Sequence, residues 1–312
     1  MLEYACEVYR QRSFTKAATV LCVAQPSLSQ QMAKLEDELG VKLFERGRSG
    51  VFPTKHGERF VEQAEQILRM QDDLLREMRE RSQGMGGELV IGAPAITGGR
   101  VLPPLIWAFN QKFKDTRVRL VEETTDQLEQ LAVQGTTDLS ILALPIRDER
   151  LATMPLLTEA LYLAVPSIAQ SGVSKVAGEQ ANKGRQGVSL KNYATSPFIL
   201  LKNGYGFRQT VLALCAENGF QPDIAYETSS IETAQTLVAH GLGVTVVPAM
   251  VRRQTAASPI YYPLDPPATR TLVFVYRKDR YLSLAAQAFL QVYQELYQLT
   301  GGKLMSHTED GV

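Results

Sequence analysis

Apolar residues recur at steps of three and four along residues 2–84, and only three glycines precede Gly57, so this part of the chain is predicted to be helical. The run Ser82-Gln83-Gly84-Met85-Gly86-Gly87 ends the pattern. Each glycine costs a helix interior about 1 kcal/mol relative to alanine, so a hinge belongs there. From Glu88 strand-like and helix-like segments alternate. Leu89-Val90-Ile91 precedes Leu102, Leu105, Ile106, Phe109 and Phe113 at helical spacing, and strands at 117–121 and 139–142 flank a helix around Leu128 and Leu131. A second series has strands at 161–165, 197–201, 224–226 and 244–247 with helices over 211–217 and 231–240. This succession specifies a mainly parallel sheet covered by helices, in two α/β lobes. Residues 167–192, rich in Gly, Ser, Lys and Gln, read as a surface loop.

Within the helical part, Ser13 precedes Phe14-Thr15-Lys16-Ala17-Ala18, a serine N-cap before good helix formers, and that helix ends near Leu21. Cys22-Val23-Ala24 leaves room only for a tight turn before a second helix, with Pro26 in its first turn. This is the spacing of a helix-turn-helix. Leu28, Met32 and Leu35 form one apolar stripe, while Gln25, Ser27, Ser29, Gln30 and Lys34 point elsewhere. Amides and hydroxyls suit base edges in a major groove, although an ordinary amphipathic surface helix has the same pattern. Leu43-Phe44-Glu45-Arg46, Gly47-Arg48-Ser49-Gly50 and Val51-Phe52-Pro53-Thr54 then read as a β-hairpin with a basic tip, a wing beside the second helix. Lys16, Lys34, Arg46, Arg48 and Lys55 are candidate phosphate contacts, and solvated surface charges are the alternative. After Lys55-His56-Gly57, the residues Phe60, Ala64, Ile67, Leu68, Leu74, Leu75 and Met78 line one side of a long helix whose seam needs a partner.

Composition narrows the class without choosing it. The 312 residues carry 33 Lys plus Arg against 33 Asp plus Glu, which rules out a surface coated in positive charge but not local basic patches. The three cysteines, Cys6, Cys22 and Cys215, lack metal-ligand spacing, and reduced thiols in a cytoplasmic protein are expected. The N-terminus lacks the basic start and apolar run of a secretory signal, and no apolar stretch approaches membrane-spanning length. With only His56, His240 and His307, no HExxH and no GxSxG, neither a nucleophile triad nor a metal site assembles, so no enzyme, cofactor or metal is expected.

The segments SFTKAA, AQPSLSQQMAKLEDELGVKLFER and PTKHG resemble the N-terminal signature of the LysR-type transcriptional regulators. The likeness continues, more weakly, through GELVIGAPAITGGRVLPPLIWAFNQKF, VQGTTDLSIL and TAQTLVAHGLGVTVVP. The family often has Ser where this chain has Ala24, which removes an N-cap worth about 0.5–2 kcal/mol. The resemblance implies an α/β protein with an N-terminal all-α winged helix-turn-helix (1–55) that reads DNA through Lys16, Gln25, Pro26, Ser27, Ser29, Gln30, Lys34, Arg46 and Arg48. A linker and dimerisation helix with its hinge (56–86) follows, then a two-lobed effector domain like the periplasmic solute-binding proteins (87–300), and a flexible tail (301–312). One lobe comprises 87–164 and 268–300, the other 165–267, with crossovers near Ala164-Val165-Pro166 and Asp265-Pro266-Pro267. Implied partners are double-stranded promoter DNA, a small-molecule effector, RNA polymerase as a candidate, and further copies of the chain in a homodimer or homotetramer.

Parallel α/β sheets bind ligands beyond the carboxyl ends of their strands, where helix N-termini offer free N–H groups. Thr97 with Gly98, Thr124 with Thr125, Gly204 to Phe207 and Ser229 with Ser230 fit this description, and suit a small anion; each is also a plain N-cap candidate. Lys202 offers a countercharge or a solvated one. A cytoplasmic solute-binding or enzymatic α/β protein is the competing reading, opposed by the helix-turn-helix. A thiol redox sensor is a further one, opposed by a C-terminal domain that holds only Cys215.

Overall fold

The computed structural model describes residues 1–47, 50–83, 86–167, 187–253, 255 and 258–299. Arg48, the side chain of Arg46, residues 168–186 of the expected surface loop and the expected flexible tail lie outside the described residues. The chain divides into two compact units, Met1–Ser82 and Gln83–Val312.

The first unit contains α1 (Leu2–Gln11), α2 (Phe14–Val20), α3 (Gln25–Leu39), the hairpin β1 (Phe44–Gly47) and β2 (Gly50–Pro53), and the long α4 (Lys55–Gln83). Ser13 Oγ accepts from Lys16 N at 3.3 Å and starts α2. Pro26 occupies the first turn of α3, and Gly40, at φ 69°, closes it. Leu28, Met32 and Leu35 are buried together with Ala5, Val8, Ala17, Leu43 and Val51. Burying each of the larger side chains contributes about 1.5–3 kcal/mol. Gly57 is required by packing: a Cβ there would stand 1.9 Å from the Leu43 carbonyl oxygen.

The second unit has β3 (Gly87–Gly92), α5 (Ala95–Lys112), β4 (Thr116–Val121), α6 (Thr125–Gln134), β5 (Leu139–Ala143), the long β6 (Leu151–Val165) and β7 (Pro197–Leu201). These are followed by α7 (Gly206–Glu217), β8 (Asp223–Thr228), α8 (Ile231–Ala239), β9 (Thr245–Pro248), β10 (Ile260–Pro263), β11 (Thr269–Arg277) and α9 (Leu284–Leu299). β3 pairs in parallel with β4 and β5, and β7 pairs in parallel with β8. The mainly parallel expectation needs correction, because β11 pairs antiparallel with both β5 and β6, and β6 pairs antiparallel with β9 and β10. The physical reason is that the chain returns to the first lobe along β11, beside the strand by which it left.

β6 serves both lobes. Up to Ala160 it pairs with β11, and from Leu161 onward with β9 and β10. The first lobe buries Leu89, Ile91, Leu105, Phe109, Phe274 and Phe289 on one face of its sheet, and Leu128, Leu142 and Val273 on the other. The second lobe buries Phe198, Ile199, Val211, Cys215, Val238 and Val246. No described helix is long and apolar enough to cross a membrane.

Candidate functional site

In the first unit the apolar stripe of α3 faces the core, so its opposite side is left to solvent. Pro26, Ser27, Gln30 and Lys34 are exposed there, and Gln25 and Ser29 are half-buried. Gln25 Nε2 donates to Ser29 Oγ at 2.8 Å, across one helical turn. Lys34 Nζ lies 3.8 Å from Glu38, and Lys16 and Lys55 are exposed. The turn before α3 is built on Cys22, which takes a left-handed φ of 54°. Ala24 makes no side-chain cap, and Pro26 supplies the preset φ that a cap would otherwise help to hold.

One residue that sequence reasoning missed fixes the wing to this frame. Glu36 is buried at the end of α3, where Oε1 accepts from Leu43 N at 2.8 Å and Phe44 N at 3.1 Å, and Oε2 accepts from Lys42 Nζ at 2.8 Å. Burial pushes this carboxyl upward, but Lys42 and the two backbone amides outweigh that effect and hold it below the ordinary carboxylate value. Its signal in the sequence was a single acid in register with the Leu28-Met32-Leu35 stripe.

In the second unit the two lobes meet where α6 and α7 begin. Thr125 Oγ1 accepts from Gly206 N at 2.9 Å, and Asp126 N donates to Gly204 O at 3.3 Å. Gly204 has φ 89°, and a Cβ on it would lie 3.5 Å from Thr124. Thr124 caps α6: its hydroxyl donates to Gln127 Oε1 at 2.8 Å and accepts from Gln127 N at 3.4 Å. Four of the residues singled out in the sequence are thereby placed at this lobe contact or one residue from it: Thr124, Thr125, Gly204 and Phe207. Phe207 is buried, with the Arg270 guanidinium over its ring at 5.1 Å.

The other candidates sit around this contact in different ways. Thr97 is buried in the first turns of α5, and the backbone N–H groups of Thr97 and Gly98 both donate to Pro94 O, at 2.9 and 2.8 Å. Lys202 is exposed, and its N–H donates to Thr228 O at 2.9 Å, which ties it to the segment carrying Ser229 and Ser230. Ser230 Oγ accepts from Thr233 N at 3.2 Å and caps α8, while Ser229 is exposed. Cys215 is fully buried on α7, and burial raises its thiol to about 11. Among the described residues, no group of three or more His, Cys, Asp or Glu side chains is placed to hold a metal ion.

Comparison with known proteins assigns both units. Residues 1–58 match the bacterial regulatory helix-turn-helix protein, lysR family, and residues 82–298 match the LysR substrate binding domain. The HTH-type transcriptional regulator YcgK of Bacillus subtilis is 51% identical over 96% of this chain and 95% of its own length. The DNA-binding transcriptional dual regulator OxyR of Escherichia coli is 32% identical over 91% of this chain and 92% of its own. Among solved structures, full-length BenM superposes with a TM-score of 0.59 at 27% identity, covering 96% of each chain. The chain therefore belongs to the LysR family, as a transcriptional regulator that joins a helix-turn-helix unit to a LysR substrate-binding domain.

Proposed function

We propose that α3 enters the major groove of a promoter and reads bases through Gln25, Ser27, Ser29 and Gln30, with Pro26 at the entry. Lys16, Lys34, Arg46 and Arg48 neutralise flanking phosphates. Groove-facing amides and hydroxyls carry sequence information, whereas phosphate contacts set register and salt dependence. Two copies pair through the apolar seam of α4, as homodimers that can join into a tetramer, and two-fold pairing presents two α3 helices to two half-sites. The tetramer occupies two sites near the promoter and bends the DNA between them, where RNA polymerase is the further partner.

The second unit senses a small anion in the cleft between its lobes. The observation that supports this reading is the meeting of Thr125 with Gly206: the starts of α6 and α7 face each other, and each carries the partial positive charge of a helix N-terminus. An anion seated there contacts both lobes and so binds one lobe arrangement better than another, which is the thermodynamic condition for control. The test is calorimetric titration of the full-length protein with a panel of small mono- and dicarboxylates, phosphate and sulfate. At least one anion is expected to bind, and Thr125→Val is expected to weaken it at least tenfold. Binding confined to neutral or cationic ligands, or equal binding by the variant, would count against the anion cleft.

A further inference from the structure

Two charged side chains lie where the chain passes between the lobes. β6 leaves β11 after Ala160, and Leu161 N donates to Ala268 O at 2.9 Å just before β11 begins at Thr269. Any change of angle between the lobes must bend the chain at these two places. The neighbours of the two transfer points are Glu159 and Arg270, which face each other in the strand register. Their side chains are 7% and 5% exposed. Burying two charges is costly unless both are paired and their remaining polar atoms are bonded.

The carboxylate oxygens of Glu159 do separate jobs. Oε1 accepts from Arg270 Nε at 2.8 Å and lies 2.7 Å from Arg270 Nη2. Oε2 accepts from Met250 N at 2.9 Å. Met250 belongs to a short 3-10 turn, Ala249–Val251, that follows β9, and it packs against the cores of both lobes. Its Sδ lies 3.8 Å from Arg270 Nη2, and the same guanidinium stands over Phe207 in the first turn of α7. Ile96, at the start of α5 in the first lobe, is part of the second lobe's core, to which Phe207 also belongs. One buried pair thus ties both crossing strands to two separate elements of the second lobe.

We propose that the Glu159–Arg270 pair is a hinge clamp that sets the angle between the lobes by holding the Met250 turn and Phe207 against the crossing strands. It deepens the reading of the cleft as the effector site and rests on that reading for its regulatory meaning, while the clamp itself is measurable without ligand. Glu159 and Arg270 are positioning residues: they act on the cleft through Met250 and Phe207.

The test uses the full-length chain carrying Cys22→Ser, Gln130→Cys and Gln209→Cys, spin-labelled on α6 and α7 and diluted with unlabelled protein. Electron–electron distances and amide exchange are compared for wild type, Glu159→Gln and the apolar pair Glu159→Leu/Arg270→Met. The apolar pair leaves no lone buried charge and keeps the test readable should Glu159→Gln not fold. The clamp predicts a broadened inter-lobe distance distribution and at least tenfold faster exchange at the Met250 amide, with β3, β5 and β7 keeping their protection. Unchanged distances and exchange would overturn it. So would equal loss of protection throughout both lobes, which would make the pair a global stabiliser. Absence of anion binding to the wild type would sink the effector reading and leave this comparison intact.

Discussion

Gln25 and Ser29 are joined side chain to side chain: Gln25 Nε2 donates to Ser29 Oγ at 2.8 Å on the outer side of α3. The contact holds the Gln25 amide in one rotamer and leaves Oε1 and the second amide hydrogen available. That is the donor and acceptor set which pairs with N7 and N6 of adenine. Gln25→Ala is expected to lower affinity for a cognate operator about 10–100-fold, the equivalent of about 1–3 kcal/mol for a lost bidentate pair. Ser29→Ala, which removes this brace together with one base-reading hydroxyl, is expected to lower operator affinity as well. Fluorescence anisotropy at one fixed salt concentration, on operator and on scrambled DNA, checks both. Equal losses on the two DNAs would remove these residues from base reading.

Glu36 ties the wing to α3, so its removal is expected to loosen DNA contacts and stability together. Glu36→Ala leaves the Leu43 and Phe44 amides without their acceptor, at a cost of about 1–3 kcal/mol. The pH dependence follows from the lowered carboxyl: its stabilisation is complete above the ordinary carboxylate range and is lost as pH falls through the lowered folded value. Thermal denaturation of wild type and Glu36→Gln is expected to show a gap at neutral pH that closes in acid. A gap that widens in acid would contradict this.

The competing reading of a thiol redox sensor is opposed by the burial of Cys215. A thiol raised to about 11 by burial holds little reactive thiolate at neutral pH, and the second unit has no other cysteine with which to form a disulfide. Under mild hydrogen peroxide, mass spectrometry is expected to find Cys215 unmodified, with the exposed Cys22 the first to react. Stoichiometric oxidation of Cys215 in the native protein would defeat this expectation.

The seam of α4 keeps Ile67, Met70, Leu74, Leu75 and Met78 exposed, with Met70 67% and Leu74 56% accessible. Covering them by a second copy is expected to be the main source of assembly. Leu74→Glu should therefore shift the protein to monomer in sedimentation velocity at micromolar concentration, with the far-UV spectrum retained. An unaltered oligomer would place the interface elsewhere.

The sequence made the first unit legible because its signals are local: the Ser13 cap, Pro26 in a first turn and the Leu28-Met32-Leu35 stripe all act within a few residues. The second unit was harder for physical reasons. The half of β6 before Leu161 contains Pro155 and buries only Leu151 and Leu156 among half-buried and exposed positions, so it lacks the continuous apolar run that marked 161–165. β10 is four residues long, ends at Pro263 and gives almost no periodic signal. The antiparallel return of β11 beside β6 depends on pairing more than a hundred residues apart, for instance Thr269 with Ala160.

The site shows the same division. Thr124, Thr125 and Gly204 were found as helix-start chemistry, but their meeting across the lobes is a tertiary fact. Glu159 and Arg270 passed unnoticed because a lone charge in a strand reads as solvent-facing until its partner on another strand is known. Ser230 proved to serve its own helix as an N-cap, a role equally open to it in the sequence.

The most direct measurement is capture of sheared genomic DNA by the full-length protein, with bound fragments sequenced after washes of rising salt, in parallel with Gln25→Ala/Ser29→Ala. The account predicts that the wild type retains a few intergenic fragments through the high-salt washes, while the variant releases them along with bulk DNA. Equal recovery of the same fragments by both proteins, or uniform recovery of all fragments by the wild type, would contradict base reading by α3.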